Sequence, residues 1–150
     1  MAFAYYEKIA RINLSTGTVT VEKLDLDVAK KFIGGRGLGT KILYDEGVAA
    51  CEPLSADNKL VYITGPLTGA GAPSSGRYMV VTKSPLTGMI ACSNSGGIWG
   101  AKLKYAGWDA IIVEGEAAEW TYVSIEDDKI ELLDAREYLG LYSDLVLLLS

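Results

Sequence analysis

The sequence contains no histidine and only two cysteines, and both scarcities exclude chemistry. Without histidine the chain cannot form a Ser-His-Asp triad, a Cys-His pair or a histidine-ligated metal site. Cys51 and Cys92 lie far apart and form no CxxC motif, so this chain alone cannot supply the four thiolates that an iron–sulfur cluster normally needs. We therefore expect both cysteines to be buried thiols.

The chain also lacks an excess of basic charge and any long apolar run. It has 14 Lys and Arg residues against 19 Asp and Glu residues, a formal net charge of −5, which argues against a surface for nucleic acid or anionic membranes. The N-terminal sequence MAFAYYEKIARINL lacks the order of a signal peptide, and no apolar stretch reaches the roughly 18 residues of a membrane span. The composition predicts a cytoplasmic protein with no nucleic-acid or membrane partner.

Alternating apolar and polar residues predict an α+β fold, a sheet-rich single domain over residues 1–150 with β-hairpins and a few short helices. One hairpin is expected from the strands at 8–14 and 18–24, which are joined by the turn at 15–17. Further strands are expected at 59–64, 78–82, 89–93, 109–114, 121–126 and 129–133.

Glycines separate the first two predicted helices. Asp25 or Asp27 can cap a helix over residues 28–33, which the pair Gly34-Gly35 then ends by permitting a left-handed closing conformation. The cluster at 34–39 (GGRGLG) superficially resembles a dinucleotide-binding fingerprint. It follows a helix instead of a strand, however, so we interpret it as a helix stop and a tight packing corner.

Two further helices are predicted at 38–46 and 97–105. Arg36, just before the first of them, is interpreted as the partner of an acidic neighbour. We expect three aromatic residues of the second helix and its exit to pack in the core: Trp99, Tyr105 and Trp108. Four acidic residues are interpreted as solvated charge: Asp45, Glu46, Asp127 and Asp128.

The segment 64–100 is the most informative part of the chain, because it contains Pro-Leu-Thr-Gly twice, at 66–69 and 85–88. A loop of small residues with polar groups is expected after each copy. Glycine and serine at this density leave backbone N–H groups uncovered, which suits a loop that approaches an anionic ligand such as a phosphate. Arg77 ends the first loop and is a natural partner for phosphate or carboxylate. The alternative for Arg77 is a surface arginine that caps a loop carbonyl.

The second loop, at 92–97, is expected to precede the N-terminus of the helix at 97–105. The unpaired N–H groups and partial positive charge of such an end attract an anion near Ser95. An ordinary helix cap needs the same residue types as Asn94 and Ser95 provide, so both interpretations stay open.

Several motifs, taken in order, resemble the N-terminal domain of tungsten-dependent aldehyde ferredoxin oxidoreductases. The matching segments are RINLSTG at 11–17, GGRGLG at 34–39, ADNKL at 56–60, TGPLTG at 64–69, GRYMVVTKSPLTG at 76–88, SNSGG at 93–97 and AKLKYAGWDAIIVEG at 101–115. Each motif is weak alone, but the ordered set is specific and covers residues 8–136. The resemblance implies the fold of that domain and a role as the cofactor-binding part of an oxidoreductase that acts on aldehydes.

The resemblance also implies a cofactor and the residues that bind it. The cofactor is a tungsten (or molybdenum) ion held by two pterin dithiolenes beside a [4Fe-4S] cluster, and the reaction oxidises aldehydes to carboxylic acids with electrons passing to ferredoxin. Arg77 would contact a pterin or its phosphate. The main-chain carbonyl of Asn94 would bind a magnesium ion that bridges the two pterin phosphates, and Ser95 and Gly96 would line the same loop.

The resemblance implies that the cluster cysteines and the acid–base residues lie in later domains. We therefore expect no catalytic residue in this chain and no activity of the chain alone. The last ten residues, LYSDLVLLLS at 141–150, do not look like the family's continuation; they predict either a packed helix or truncation of a larger domain, and we favour truncation. The protein is then a split subunit completed by a separate chain, a non-catalytic scaffold or binding module, or an unproductive gene fragment.

Overall fold

Eight strands and three helices make up residues 4–141, the part of the chain that this computed structural model describes. The strands are β1 (Lys8–Asn13), β2 (Thr18–Lys23), β3 (Lys59–Ile63), β4 (Tyr78–Lys83), β5 (Ile90–Ser95), β6 (Ala110–Glu114), β7 (Thr121–Glu126) and β8 (Lys129–Asp134). The helices are α1 (Leu26–Phe32), α2 (Gly35–Asp45) and α3 (Trp99–Tyr105), with 3-10 turns at Val48–Ala50 and Arg136–Tyr138.

Six of these strands form one mixed sheet in the order β2-β1-β6-β3-β4-β5, and β7 pairs with β8 in a separate two-stranded sheet. β1 and β6 run parallel, and the other neighbouring strands run antiparallel. This architecture confirms the predicted sheet-rich α+β class. Among the helices of residues 4–141, none is long and apolar enough to cross a membrane. The prediction for the chain's last ten residues covers 141–150, of which 142–150 lie outside the described residues.

One face of the large sheet is covered by α1 and α2. Because side chains alternate across a strand, every second residue of the central strands reaches this face. An added Cβ on Gly39 would lie 2.7 Å from Val81 Cγ2, so the glycine lets α2 approach the sheet closely. The buried residues of this core are Ile9, Leu24, Ala29, Leu38, Leu43, Val48, Val61, Ile63, Val81, Ala110 and Ile112.

The opposite face packs against α3 and the β7-β8 hairpin. Its buried residues are Ala10, Ile12, Leu103, Trp108 and Ile111. Trp108 is 1% exposed, and its indole N–H donates to the carbonyl of Asp127 at 2.8 Å. Trp99 is half-buried against the same core, whereas the core prediction for Tyr105 is wrong. Tyr105 is 65% exposed, because the neighbouring Leu103 occupies the buried side of α3.

The starts and ends of two elements differ from the prediction. The side chain of Asp25, not Asp27, caps α1. The positive φ that closes α1 falls on Ile33, at 66°, before the glycine pair. α2 then begins at Gly35 instead of residue 38, since the Gly35 N–H donates to the carbonyl of Thr64 at 3.0 Å.

The two cysteines are half-buried, so the expectation of buried thiols holds in part. Both pack beside the core under α2 instead of within it. The Sγ atom of Cys92 lies 3.9 Å from the hydroxyl of Thr40. Both thiols are free.

A cluster of ion pairs lies at the end of β6, and it includes a residue that we had interpreted as solvated. Arg11 donates to Glu114 at 2.8 Å and to Glu46 at 2.6 Å, and Lys59 donates to Glu114 at 2.6 Å. Glu22 is a third partner of Arg11, at 2.5 Å. Arg11, Lys59 and Glu114 keep only 17–18% of their side chains exposed. Glu46 is exposed, as predicted, but tertiary packing also places the two cations Arg11 and Lys59 beside it.

The other predicted solvated charges agree with the structure. Asp45 pairs with Lys41 on the surface of α2 and keeps 50% of its side chain exposed. Asp128 pairs with Lys8 at 2.7 Å and is 77% exposed. Asp127 lies in the turn between β7 and β8 with a φ of 51°. Such exposed pairs contribute little to stability.

The ion-pair cluster predicts a loss of stability in acid. Burial alone would raise the pKa of Glu114, but its hydrogen bonds and ion pairs with Lys59 and Arg11 outweigh burial and hold the pKa below its usual value. A lowered carboxyl pKa stabilises the folded state above the unfolded-state pKa, and that stability is lost as the pH falls through the lowered pKa.

We expect Glu114→Gln to lower the free energy of unfolding by about 2 kcal/mol near neutral pH. The difference from wild type should shrink at about pH 3, because acid protonates the wild-type carboxylate as well. Urea denaturation at both pH values measures it, with Glu119→Gln as an exposed control. An equal difference at both pH values would contradict the role of the carboxylate.

Candidate functional site

The candidate site lies at one edge of the large sheet, where β3 ends, β4 begins and β5 ends. The register places Ile63 opposite Met79, and Met79 opposite Asn94. Arg77 directly precedes β4, and Ser95 ends β5 opposite Tyr78. Three of the predicted site residues are thereby brought together, and Gly96 follows directly.

Arg77 and Asn94 are in direct contact. The Nη1 group of Arg77 donates a hydrogen bond to the side-chain oxygen of Asn94 at 2.6 Å. Both residues are exposed. The remaining guanidinium N–H groups are available to accepting oxygens, and a guanidinium presents five such donors in one plane.

The backbones of the two loops touch beside this pair. An added Cβ on Gly76 would lie 2.4 Å from the carbonyl oxygen of Gly97, and one on Gly100 would lie 2.8 Å from the carbonyl oxygen of Gly76. Side chains at these positions would force the loops apart. Gly96 is different, since no heavy atom lies within 4 Å of a Cβ added there. Gly96 therefore presents bare backbone on the open side of the loop.

Thr68, in the first Pro-Leu-Thr-Gly copy, is a positioning residue that the sequence analysis missed. Its hydroxyl accepts from the N–H of Gly65 at 3.0 Å and donates to the carbonyl of Arg77 at 3.1 Å. Thr68 is 9% exposed. The turn is thus tied to the backbone of Arg77. The repeated motif was the available signal, although a sequence alone does not show which carbonyl the hydroxyl reaches.

The second Pro-Leu-Thr-Gly copy lies elsewhere. It forms the turn between β4 and β5, where the hydroxyl of Ser84 accepts from the N–H of Leu86 at 3.2 Å. The six residues of β4 separate this turn from Arg77, and a strand of that length spans about 20 Å. The loop that ends at Arg77 follows the first copy directly, whereas β5 lies between the second copy and the end of the 92–97 segment.

Asn94 and Ser95 are the last residues of β5 and do not belong to a loop that caps α3. α3 begins at Trp99, and its N-cap residue Ile98 makes no side-chain capping hydrogen bond. The helix-cap alternative for these two residues is wrong. Strand pairing explains the difference, because the ladder to β4 continues through Ser95.

A buried ion pair supports the end of β3 beneath the site. Lys104 of α3 pairs with Asp109, and their side chains are 5% and 4% exposed. The main-chain carbonyl of Asp109 accepts from both the N–H and the hydroxyl of Thr64, at 3.1 and 2.9 Å. Thr64 begins the first loop, so the buried pair helps to fix the point from which that loop leaves the sheet.

The side chains of the site suit an anion better than a metal cation. Within residues 4–141, no group of three or more His, Cys, Asp or Glu side chains is arranged to hold a metal ion. The edge offers a guanidinium, a side-chain amide and glycine backbone instead. These are the usual ligands of phosphate groups.

The fold defines a sheet-rich α+β domain, and comparison with known proteins identifies its family. The family described as "Aldehyde ferredoxin oxidoreductase, N-terminal domain" matches residues 9–146. This chain belongs to that family, which confirms the resemblance seen in the sequence.

Curated relatives carry two kinds of name. The tungsten-containing aldehyde ferredoxin oxidoreductase of Pyrococcus horikoshii is 53% identical over 138 residues, which cover 92% of this chain and 23% of the relative. The protein named "Aliphatic sulfonate oxidoreductase, WOR-like subunit" of Pyrococcus furiosus is 40% identical over 144 residues, covering 93% of this chain and 22% of the relative. The chain thus spans less than a quarter of the length of these relatives.

A solved structure shares the fold. It is described as the "Active site complex BamBC of Benzoyl Coenzyme A reductase in complex with 1,5 Dienoyl-CoA". The match has a TM-score of 0.89 and 36% identity, and covers 92% of this chain and 21% of the other. The described fold is therefore that of a known domain within larger oxidoreductases.

Proposed function

We propose that this domain binds the tungsten (or molybdenum) bis-pterin cofactor of an aldehyde ferredoxin oxidoreductase. The observation that carries the proposal is the 2.6 Å hydrogen bond between Arg77 and Asn94 at the edge where the two glycine loops meet. Family membership and the tungsten-containing relatives support the identity of the cofactor. The domain boundaries proposed for this role are residues 1–150.

Each residue of the site has its own proposed role in holding the cofactor. Arg77 would bind a pterin or its phosphate through the guanidinium N–H groups that its hydrogen bond to Asn94 leaves available. The main-chain carbonyl of Asn94 would bind the magnesium ion that accompanies the cofactor. Ser95 and Gly96 line the cofactor, and the bare backbone of Gly96 allows close approach.

The chain holds and orients the cofactor and contributes no catalytic residue of its own. When bound, the cofactor supplies the two-electron oxidation of an aldehyde and water to a carboxylic acid. A [4Fe-4S] cluster would carry the electrons of that oxidation on to ferredoxin. This chain has two cysteines, and such a cluster normally takes four thiolates. The cluster would therefore come from remaining domains or from a separate partner chain. We propose the same source for the acid–base groups. The proposed location of the protein is the cytoplasm.

Arg77→Ala is expected to lower tungsten content about tenfold or more in the complete enzyme that carries this domain, because charge-assisted hydrogen bonds to phosphate are lost. Elemental analysis of the purified enzyme measures tungsten per protein. Arg136→Ala is the matched control, since Arg136 pairs with Asp134 on the exposed β7-β8 hairpin. Wild-type tungsten content in Arg77→Ala would overturn the proposed site.

A further inference from the structure

The first turn of α2 carries a second arginine toward the same edge of the sheet. α2 runs alongside β4: a Cβ added to Gly35 would lie 3.4 Å from Met79, and one added to Gly39 would lie 2.7 Å from Val81. Four helix residues rise about 6 Å and two strand residues rise about 6.6 Å. One helical turn of α2 therefore advances along the sheet by about the same length as two residues of a strand.

The same spacing, one helical turn for every two strand residues, applies to β5 and indicates the position of Arg36. Val81 is paired with Cys92, and Met79 is paired with Asn94. The hydroxyl of Thr40 lies 3.9 Å from the Sγ atom of Cys92. Arg36 is one turn before Thr40 on the same side of the helix, and Asn94 is two residues after Cys92 on the same face of the strand. The same spacing would place Arg36 over Asn94, as Thr40 lies over Cys92.

The charge of Arg36 has no ion-pair partner in the described part of the chain. The side chain is exposed, and the acidic neighbour expected from the sequence does not pair with it within residues 4–141. Arg77 is also exposed, and its side-chain partner, Asn94, is neutral. Two guanidinium groups at this edge of the sheet, neither with a carboxylate partner among residues 4–141, favour an anion that carries more than one charge.

We infer that Arg36 is a second guanidinium of this site and binds a phosphate group of the cofactor together with Arg77. The inference rests on the proposed function and adds a residue to it. The class of ligand is a phosphate ester or pyrophosphate, for which arginine is the best-suited side chain.

Calorimetric titration of the 150-residue chain with inorganic pyrophosphate tests the inference. Arg36→Gln and Arg77→Gln are each expected to weaken binding about tenfold or more. Arg36→Lys should keep part of the affinity, because it keeps the charge but loses the planar pair of donors. The control Arg136→Gln should bind as wild type. Thermal unfolding confirms that each variant is folded, and Arg36 is exposed, so its substitution should not alter the unfolding midpoint.

The outcomes distinguish the role of Arg36 from the proposed function of the whole site. Wild-type affinity in Arg36→Gln together with a loss in Arg77→Gln would overturn the inference and leave the proposed function standing. No pyrophosphate binding by the wild-type chain would also overturn the inference, while the tungsten content of Arg77→Ala decides the proposed function independently. Lower affinity in Arg36→Gln, with Arg136→Gln unchanged, supports the inference.

Discussion

Lys104→Met is expected to lower the free energy of unfolding by about 3–5 kcal/mol, the usual cost of breaking a buried ion pair by removing one partner. Asp109 is 4% exposed and would be left buried without a cation beside it. Its Oδ2 atom is already buried without a hydrogen-bond partner among the described residues. Urea denaturation monitored by tryptophan fluorescence measures the change.

Two further variants separate the ion pair from the bulk of the lysine side chain. Adding Asp109→Asn to Lys104→Met should restore a large part of the loss, because no unpaired charge then remains buried. Lys31→Met, at an exposed position beside the end of α1, should change stability by at most about 0.5 kcal/mol. A loss below about 1 kcal/mol in Lys104→Met would contradict the structural role of the pair.

Gly76→Ala is expected to cost about 2–3 kcal/mol, since the added methyl group would lie 2.4 Å from the carbonyl oxygen of Gly97. The obstacle is backbone, so no side-chain rotation relieves it. The two loops must separate, and Arg77, the next residue, must move with them. We therefore expect weaker pyrophosphate binding as well as lower stability, measured by calorimetry and urea denaturation on the same preparation.

Gly96→Ala is the matched control for stability. It adds the same methyl group to the facing loop, where no heavy atom lies within 4 Å, so the free energy of unfolding should change by at most about 0.5 kcal/mol. Equal losses in Gly76→Ala and Gly96→Ala would show that the contact between the loops does not stabilise the domain.

The strands were predictable because short runs of alternating or continuous apolar residues lie between turn residues, and the central strand β6 buries three consecutive residues. The segments predicted at 59–64 and 109–114 correspond closely to β3 and β6 at the centre of the sheet. The start of α2 was missed because three glycines among its first five residues lower helix propensity. Tertiary contacts override that preference: Gly35 donates to Thr64, and Gly39 lets the helix approach Val81. The end of β5 was missed because Asn94 and Ser95 are polar, whereas strand pairing uses backbone groups.

The candidate site was predictable to the extent that loop composition revealed it. Glycine and serine around Arg77 and Asn94 indicated an anion site, and the structure places those two side chains in contact. The residues that position the site were not predictable. Thr68 reaches the carbonyl of Arg77, and Lys104 pairs with Asp109 beneath the loop. Both contacts arise from tertiary packing, which no local pattern in the sequence encodes.

Elemental analysis for tungsten, molybdenum and iron, on the protein purified from its native host, tests the central claim most directly. The mass of the eluting species is recorded in the same experiment. We predict tungsten or molybdenum together with iron in a species larger than the chain's 16.1 kDa, because the cluster needs cysteines beyond the two present here. A purified species that contains neither tungsten nor molybdenum would contradict the proposed cofactor-binding role.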